Sequence, residues 1–255
     1  MRRALLALAL TLGACSSSPP EPEPLTVEAR GPLGSPILED VDGDPPQEAE
    51  LWVESEGTGR VLTEESQALY TAVSYDDRGR LLAGADRPVV TGAVQAPVDL
   101  SGYTEGSRII SVDPQGEGAE ILIIDILHTI VQGEQREIEG PFTVTVDDSG
   151  VPALAGTAEI RRLSSQSVIR GEGPQISVDD DVYVQYSLYR AADGTLVEST
   201  WGTGPILLSL SDTFEGLWTG AAEAPVGSRL LIQVPAGQAQ GTDDVVIILD
   251  ILALG

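Results

Sequence analysis

Two segments of this 255-residue chain each have a second, similar copy further along, and the two copies come in the same order. Thr104-Glu-Gly-Ser-Arg-Ile-Ile110 returns as Pro225-Val-Gly-Ser-Arg-Leu-Leu231. Ile121-Leu-Ile-Ile-Asp-Ile-Leu127 returns as Val246-Ile-Ile-Leu-Asp-Ile-Leu252. Solenoid repeats recur every ~20–50 residues, and the spacing here is more than twice that. The pattern therefore predicts a duplicated domain.

Two weaker matches support the duplication. Gly57-Thr-Gly59 corresponds to Gly171-Glu-Gly173, and Tyr70 aligns with Tyr186. About 230 residues follow the N-terminal region, which suits two domains of ~100–150 residues. We expect one domain over residues 26–142 and a second over residues 143–255.

Each unit has the composition of a strand-rich domain. Val182 to Tyr189 alternates apolar and polar residues as a half-buried strand does, and Asp193-Gly194 is a hairpin signal. Val245 to Leu252 is apolar almost throughout, which favours a strand buried on both faces. Thr213 to Ala222 has helical composition, with Asp212 as its predicted N-cap. These elements predict an α+β fold, an antiparallel sheet with a short helix in each unit.

The N-terminus has the pattern of an export signal. Arg2 and Arg3 precede a short apolar run from Ala4 to Leu12, about half the length that spans a bilayer. Leu12-Gly-Ala-Cys15 resembles the lipobox of bacterial lipoproteins. This resemblance implies cleavage after residue 14, a lipid on Cys15 and a location on the extracytoplasmic face of the cell membrane. The alternative is an ordinary signal peptide in which Cys15 is incidental.

The composition restricts the partners and cofactors. Residues 15–25 are polar and rich in proline, as expected of a semi-rigid linker. The net charge of −26 disfavours nucleic acid and anionic lipid headgroups as partners. His128 is the only histidine and lacks partners at ligand spacing, so we expect no metal site and no cofactor.

The second unit resembles the FKBP-type peptidyl-prolyl isomerases. The resemblance covers about 85 residues. It runs through Gly171-Glu-Gly-Pro174, Val182 to Ser187, Asp193 to Trp201, Phe214-Glu-Gly-Leu-Trp-Thr-Gly220, Val226 to Pro235 and Val245 to Leu252. The first unit keeps only the Gly-x-Gly, Gly-Ser-Arg and Asp-Ile-Leu parts of this pattern. The whole chain thus resembles the tandem FKBP-like lipoproteins of actinobacteria, with a degenerate first domain.

The resemblance implies an activity and a pocket. Such a pocket would catalyse cis–trans isomerisation of Xaa–Pro bonds in exported proteins, without a nucleophile or a metal. The implied catalytic residues are Tyr186, Val197, Glu198, Leu217, Trp218, Gln240 and Ile247. Ile206 and Phe214 would contact the substrate.

The pocket departs from the family pattern, and two functions stay open. The family's aromatic Phe-Asp pair is Val197-Glu198, and its floor tryptophan is replaced by Leu217, with Trp218 one position later. Either the second unit is an isomerase of low activity, or both units form a non-catalytic binding or scaffold protein of the cell envelope. In the first unit Leu82-Ala83 replaces the Phe-Asp pair, so we expect no catalysis there.

Overall fold

The computed structural model describes residues 23–84 and 87–255, in which most of the regular structure is β-strand. The first unit contains β1 (Thr26–Arg30), β2 (Ile37–Asp42), β3 (Glu50–Ser55), β4 (Gln67–Asp76), β5 (Leu81–Gly84), β6 (Val89–Gly92), β7 (Arg108–Gln115) and β8 (Gly118–Leu127). The second contains β9 (Thr143–Val146), β10 (Pro152–Ala155), β11 (Ser164–Ile169), β12 (Asp181–Arg190), β13 (Leu196–Ser199), β14 (Ile206–Ser209), α1 (Glu215–Ala221), β15 (Arg229–Val234) and β16 (Val245–Leu254).

Both units have the same topology. Each has a two-stranded hairpin, β1–β2 or β9–β10, followed by a six-stranded antiparallel sheet. The strand orders are β3-β7-β8-β4-β5 and β11-β15-β16-β12-β13, with β6 paired to β4 and β14 paired to β12. The predicted duplication of a mainly antiparallel unit is therefore confirmed.

The central strands are covered on both faces. In β16, Ile247 and Leu249 lie in a core cluster with α1, whereas Val246 and Ile248 lie in a second cluster on the other face. The second cluster includes residues of the β9–β10 hairpin. This double coverage explains why β16 and its counterpart β8 are apolar at almost every position.

The helix of the second unit packs on β15 but begins later than predicted. Its N-cap is Phe214, and Asp212 instead ends a 3₁₀ turn, Leu210–Asp212. The Thr213 hydroxyl donates to the Leu210 carbonyl at 2.7 Å and holds this turn closed. The prediction that Asp212 caps the helix is therefore wrong.

The expectation of a short helix in each unit is wrong for the first unit. In its described residues β6 is followed by a 3₁₀ turn, Ala93–Gln95, the counterpart of Leu210–Asp212 after β14, and no α-helix lies between this turn and β7. Gly102 adopts a φ of +87°, outside the α-helical range, so the chain turns within this segment instead of continuing as a helix.

The sheet has changed where the helix is missing. Ile232 and Val234 of β15 are fully buried beneath α1. Ser111 and Asp113 occupy the same places in β7, counted from Arg108 and Arg229 at the starts of the two strands. Asp113 is exposed and Ser111 is partly exposed. Without a covering helix, polar side chains at these positions remain hydrated.

The repeated Gly-x-Gly and Gly-Ser-Arg segments pack against each other. A Cβ on Gly171 would lie 2.1 Å from the Val226 carbonyl oxygen, so only glycine fits. The Gly171 N–H donates to Ser228 Oγ at 2.9 Å, and Gly57 donates to Ser107 at the same distance. The sequence repeat thus marks a close backbone contact that is made in both units.

The two units are in direct contact. Tyr183 Oη donates to the Pro88 carbonyl at 2.7 Å, and Gln185 Nε2 donates to the Thr129 carbonyl at 2.6 Å. A shared apolar cluster lies between them: Leu69, Leu127 and Ala253, with Val90, Tyr183 and Leu252 packed around it.

The boundary at residues 142/143 stays a prediction, but Phe142, the residue just before it, packs into the second unit. Phe142 is 1% exposed and packs in the core of the second unit with Ile160 and Val168. The residues that complete the second unit therefore begin before position 143.

Candidate functional site

A cavity of about 490 Å³ opens in the second unit beside β12 and α1. Leu217 from the helix and Ile247 from the central strand are buried in the core and form its apolar floor. Its lining consists of Tyr186, Leu188, Glu198, Leu208, Asp212, Thr213, Phe214, Leu217, Gln240 and Ile247. The cavity thus combines an apolar base with a small number of polar groups, as ligand pockets do.

Two glycines hold the helix close to the sheet. A Cβ on Gly216 would lie 2.1 Å from Val234 Cγ1, and a Cβ on Gly220 would lie 2.4 Å from Ile232 Cγ2. The two glycines are four residues apart and face the same strand. Their close approach sets the position of Leu217 in the floor of the cavity.

A hydrogen bond between β12 and β13 fixes the polar side of the cavity. Tyr186 Oη donates to Glu198 Oε1 at 2.6 Å. The Tyr186 backbone N–H donates to Thr200 Oγ1 at 2.9 Å, which fixes the strand at this point. Burial raises the pKa of Tyr186, and the bond to Glu198 raises it further. The phenol therefore stays protonated well beyond neutral pH.

The structure brings most of the predicted pocket residues together. Those that line the cavity are Tyr186, Glu198, Phe214, Leu217, Gln240 and Ile247. Their roles in catalysis or substrate binding stay predictions.

Three of the predicted residues lie outside the lining. Val197 is 57% exposed and occupies a bulge, since Leu188 pairs with Glu198 while Tyr189 pairs with Leu196. Trp218 is one helical position, about 100°, from Leu217 and packs against the core instead. Ile206 also packs against the core.

Four lining residues were missed by the sequence analysis. They are Leu188, Leu208, Asp212 and Thr213. Leu188 lies two positions after Tyr186, and strand alternation places both on one face. Leu208 could have been found in the same way, two positions after Ile206. Asp212 and Thr213 were missed because the sequence analysis assigned them to the start of the helix.

The alignment of Tyr70 with Tyr186 is wrong. Thr71 pairs with Asp125 in the first sheet as Gln185 pairs with Asp250 in the second. Ala72 is therefore the counterpart of Tyr186, and Tyr70 is a core residue with 5% exposure.

The first unit keeps a cleft at the corresponding place, with different walls. Ala72, Ser74 and Ala83 replace Tyr186, Leu188 and Glu198, as the strand pairings show. The cleft has a volume of about 700 Å³ and is also lined by Ser111, Asp113 and Glu120. Small side chains thus replace the Tyr–Glu pair and acidic side chains are added, whereas Leu122 keeps the apolar position of Ile247.

The predicted membrane attachment lies outside the described residues. This holds for the signal peptide (residues 1–14), Cys15 and most of the linker. In residues 23–84 and 87–255 we find no helix of the length and apolarity needed to cross a bilayer.

No family model matches the chain, and no curated protein matches it. The solved structures that match in part include a multi-domain immunophilin from Arabidopsis thaliana, with 20% identity and a TM-score of 0.34. A peptidyl-prolyl cis-trans isomerase from Pseudomonas syringae matches with 20% identity and a TM-score of 0.32. The three FKBP domains of wheat FKBP73 match with 11% identity and a TM-score of 0.32.

The extent of these matches differs. The Arabidopsis match covers 38% of this chain and 44% of that protein, so this chain spans less than half of its length. The Pseudomonas match covers 44% of this chain and 80% of that one. The wheat match covers 81% of this chain and 94% of that one.

Proposed function

We propose that the second unit is a peptidyl-prolyl isomerase of low activity, of the FKBP type. The observation that carries the proposal is the cavity above the Leu217–Ile247 floor, with Tyr186 hydrogen-bonded to Glu198 at its side. The sequence resemblance to the FKBP-type isomerases runs through the same strands and helix.

The proposed mechanism is differential binding of a twisted amide. An Xaa–Pro bond isomerises over a barrier of ~20 kcal/mol, because the planar amide must lose its resonance. The proline ring would rest on the apolar floor, and the less polar, twisted amide would bind there better than the planar one. This chemistry needs no nucleophile, metal or cofactor.

Low activity follows from the walls of the cavity. Only Tyr186 and Phe214 among the lining residues are aromatic. Aromatic rings contribute large contact areas in such pockets, and aliphatic walls hold a proline ring less tightly. The same observation favours the second candidate, a binding or scaffold protein without catalysis.

The two candidates differ in a direct measurement. Exchange NMR on short Xaa–Pro peptides would compare residues 16–255 with the Tyr186→Ala variant and with Tyr103→Phe, a control in the first unit. We expect acceleration by the wild type and by Tyr103→Phe, and its loss in Tyr186→Ala. Exchange at the uncatalysed rate with the wild type would leave only the binding protein.

A gain-of-function variant tests the same floor. Leu217→Trp places a ring where the family pattern has one, and we expect it to increase the isomerisation rate at least several-fold. No increase in a folded Leu217→Trp protein would show that the floor is not the proline subsite.

We also propose that the protein acts on exported proteins from the extracytoplasmic face of the membrane, held there by a lipid on Cys15. The support is the signal pattern and the lipobox-like Leu12-Gly-Ala-Cys15. Metabolic labelling with a fatty-acid probe should mark the wild type and not a Cys15→Ser variant. An unlabelled wild-type protein, released from membranes by salt, would overturn the anchor.

A further inference from the structure

The cavity of the second unit carries negative charge and no positive charge. Glu198 and Asp212 are the ionisable carboxylates in its lining, and no arginine or histidine lines it. Glu198 is on β13 and Asp212 is on the 3₁₀ turn before α1, so two separate elements contribute the charge. Both side chains are exposed to solvent at the mouth.

Neither carboxylate is neutralised by a neighbour. The partner of Glu198 is the uncharged Tyr186 hydroxyl. Among the described residues, Asp212 has no ion pair and no side-chain hydrogen bond. Arg190, on the same strand as Tyr186, is already held by Asp193 and Asp243 at 3.1 Å each.

The rest of the chain reinforces this potential. Its net charge is −26, so the field at the mouth is negative beyond the two local carboxylates. A charge interacts more strongly with a nearby charge at a partly buried site than in bulk water, because the local dielectric constant is lower. A cation beside a bound proline would be attracted, and an anion there would be repelled.

We propose that this site selects prolyl segments that carry lysine or arginine next to the proline. The inference deepens the proposed function and rests on it. The floor would bind the proline ring, and Glu198 and Asp212 would bind the lysine or arginine side chain next to it. The cavity is the binding site, and its two carboxylates, which have no ion-pair partner among the described residues, set the substrate class.

The test uses three peptides that differ only in the residue before proline: lysine, leucine or glutamate. Their dissociation constants and isomerisation rates would be measured with residues 16–255 at about 20 mM and about 500 mM salt. At low salt we expect binding and kcat/KM to fall in the order lysine, leucine, glutamate, with about tenfold between the extremes. High salt should shrink this ratio to about twofold, because the Debye length falls below ~5 Å.

Variants locate the effect. Glu198→Gln and Asp212→Asn should each reduce the lysine-to-glutamate ratio by a factor of about two to three. Glu64→Gln removes one charge from an exposed site of the first unit and should leave the ratio unchanged. Equal affinities for the three peptides at low salt, or an equal loss of the ratio in Glu64→Gln, would overturn the proposal.

Failure of the proposed function would look different. If the dissociation constants follow the predicted order while no peptide exchanges above its uncatalysed rate, the charge preference stands and the isomerase does not. If all peptides are isomerised at equal rates and bound equally, the isomerase stands and the charge preference does not.

Discussion

Arg229 and Asp250 form a bidentate ion pair across β15 and β16, with N–O distances of 2.6 and 2.8 Å and side chains only 1% and 0% exposed. Arg108 and Asp125 form the same pair across β7 and β8, at 2.7 and 2.9 Å. The arginine of the repeated Gly-Ser-Arg segment and the aspartate of the repeated Asp-Ile-Leu segment are these partners. Much of the repeat detected in the sequence therefore corresponds to a buried ion pair that is present in both units.

Each pair also ties its sheet to the chain segment before it. Asp250 Oδ2 accepts the Val131 N–H at 3.0 Å, and Arg229 donates to the Gly150 carbonyl in the β9–β10 turn at 3.2 Å. Asp125 Oδ2 accepts the Gly34 N–H at 2.7 Å in the same manner. The remaining bonding capacity of the carboxylates is thereby used, as buried charges require.

We expect Asp250→Asn to lower the free energy of unfolding by about 3–5 kcal/mol, because it leaves the Arg229 guanidinium buried without a counter-charge. Urea denaturation of residues 16–255, followed by circular dichroism, measures this. Glu159→Gln breaks an exposed pair with Arg161 and should change stability by less than about 0.5 kcal/mol.

A double variant keeps this prediction testable if Asp250→Asn does not fold. Replacing both partners, as Arg229→Met with Asp250→Leu, removes the unpaired charge, and we expect it to be more stable than Asp250→Asn. A single variant as stable as the wild type would contradict the account.

Gly216→Ala should displace the helix from β15. The new methyl group would meet Val234 Cγ1, and overpacking of this kind costs about 1–3 kcal/mol. Since Leu217 is the next residue, peptide binding at the cavity should weaken as well. Val234→Ala in the same chain makes room and should partly restore binding. Gly237→Ala, whose Cβ would meet nothing within 4 Å, is the control for both denaturation and peptide titration.

The strands of the sheets were predicted from the sequence better than the elements that pack on the sheets. Long apolar strands such as β16 and the alternating β12 were recognised because their side-chain pattern follows from burial. The β9–β10 hairpin was not predicted, since its strands of four residues are mostly exposed and carry little periodicity. Its importance lies in tertiary contacts that no local pattern reveals.

The candidate site was predicted in composition but not in register. Tyr70 was matched to Tyr186 by residue identity. A shift of two positions along a strand leaves each side chain on the same face, so the alternation of apolar and polar residues does not reveal the error. Val197 was placed in the pocket because no sequence signal marks the bulge that turns it outward. Asp212 was missed because the 3₁₀ turn before α1 resembles a helix start.

Phe142→Ala in residues 16–255 should loosen the second unit, although residue 142 was assigned to the first. The aromatic ring fills the core with Val168 and Ile160, and its loss should cost about 3–5 kcal/mol. Hydrogen exchange should show lower protection in β15 and β16, with β7 and β8 little affected. Lower protection confined to the first sheet would contradict this assignment. Val61→Ala, at a position that is 59% exposed, should leave both sheets unchanged.

His128 should make stability depend on pH in the mildly acidic range. Desolvation lowers the pKa of His128, and the nearby Glu105 carboxylate only partly offsets this. In the folded protein its Nδ1 is buried without a hydrogen-bond partner among the described residues, and the ring packs against Gly59 and Gly106.

The sign of this dependence follows from proton linkage. Well above pH ~6.5 the imidazole is neutral in both the folded and the unfolded state, and its protonation does not affect the free energy of unfolding. As the pH falls below ~6.5 the unfolded chain takes up the proton first, so the free energy of unfolding decreases. Urea midpoints between pH 7.5 and 5 should therefore fall less in His128→Gln than in the wild type. Because many carboxylates also titrate near the lower limit, the difference between the two proteins is the measured quantity. Parallel curves would show that the ring is hydrated and that its burial does not govern its protonation.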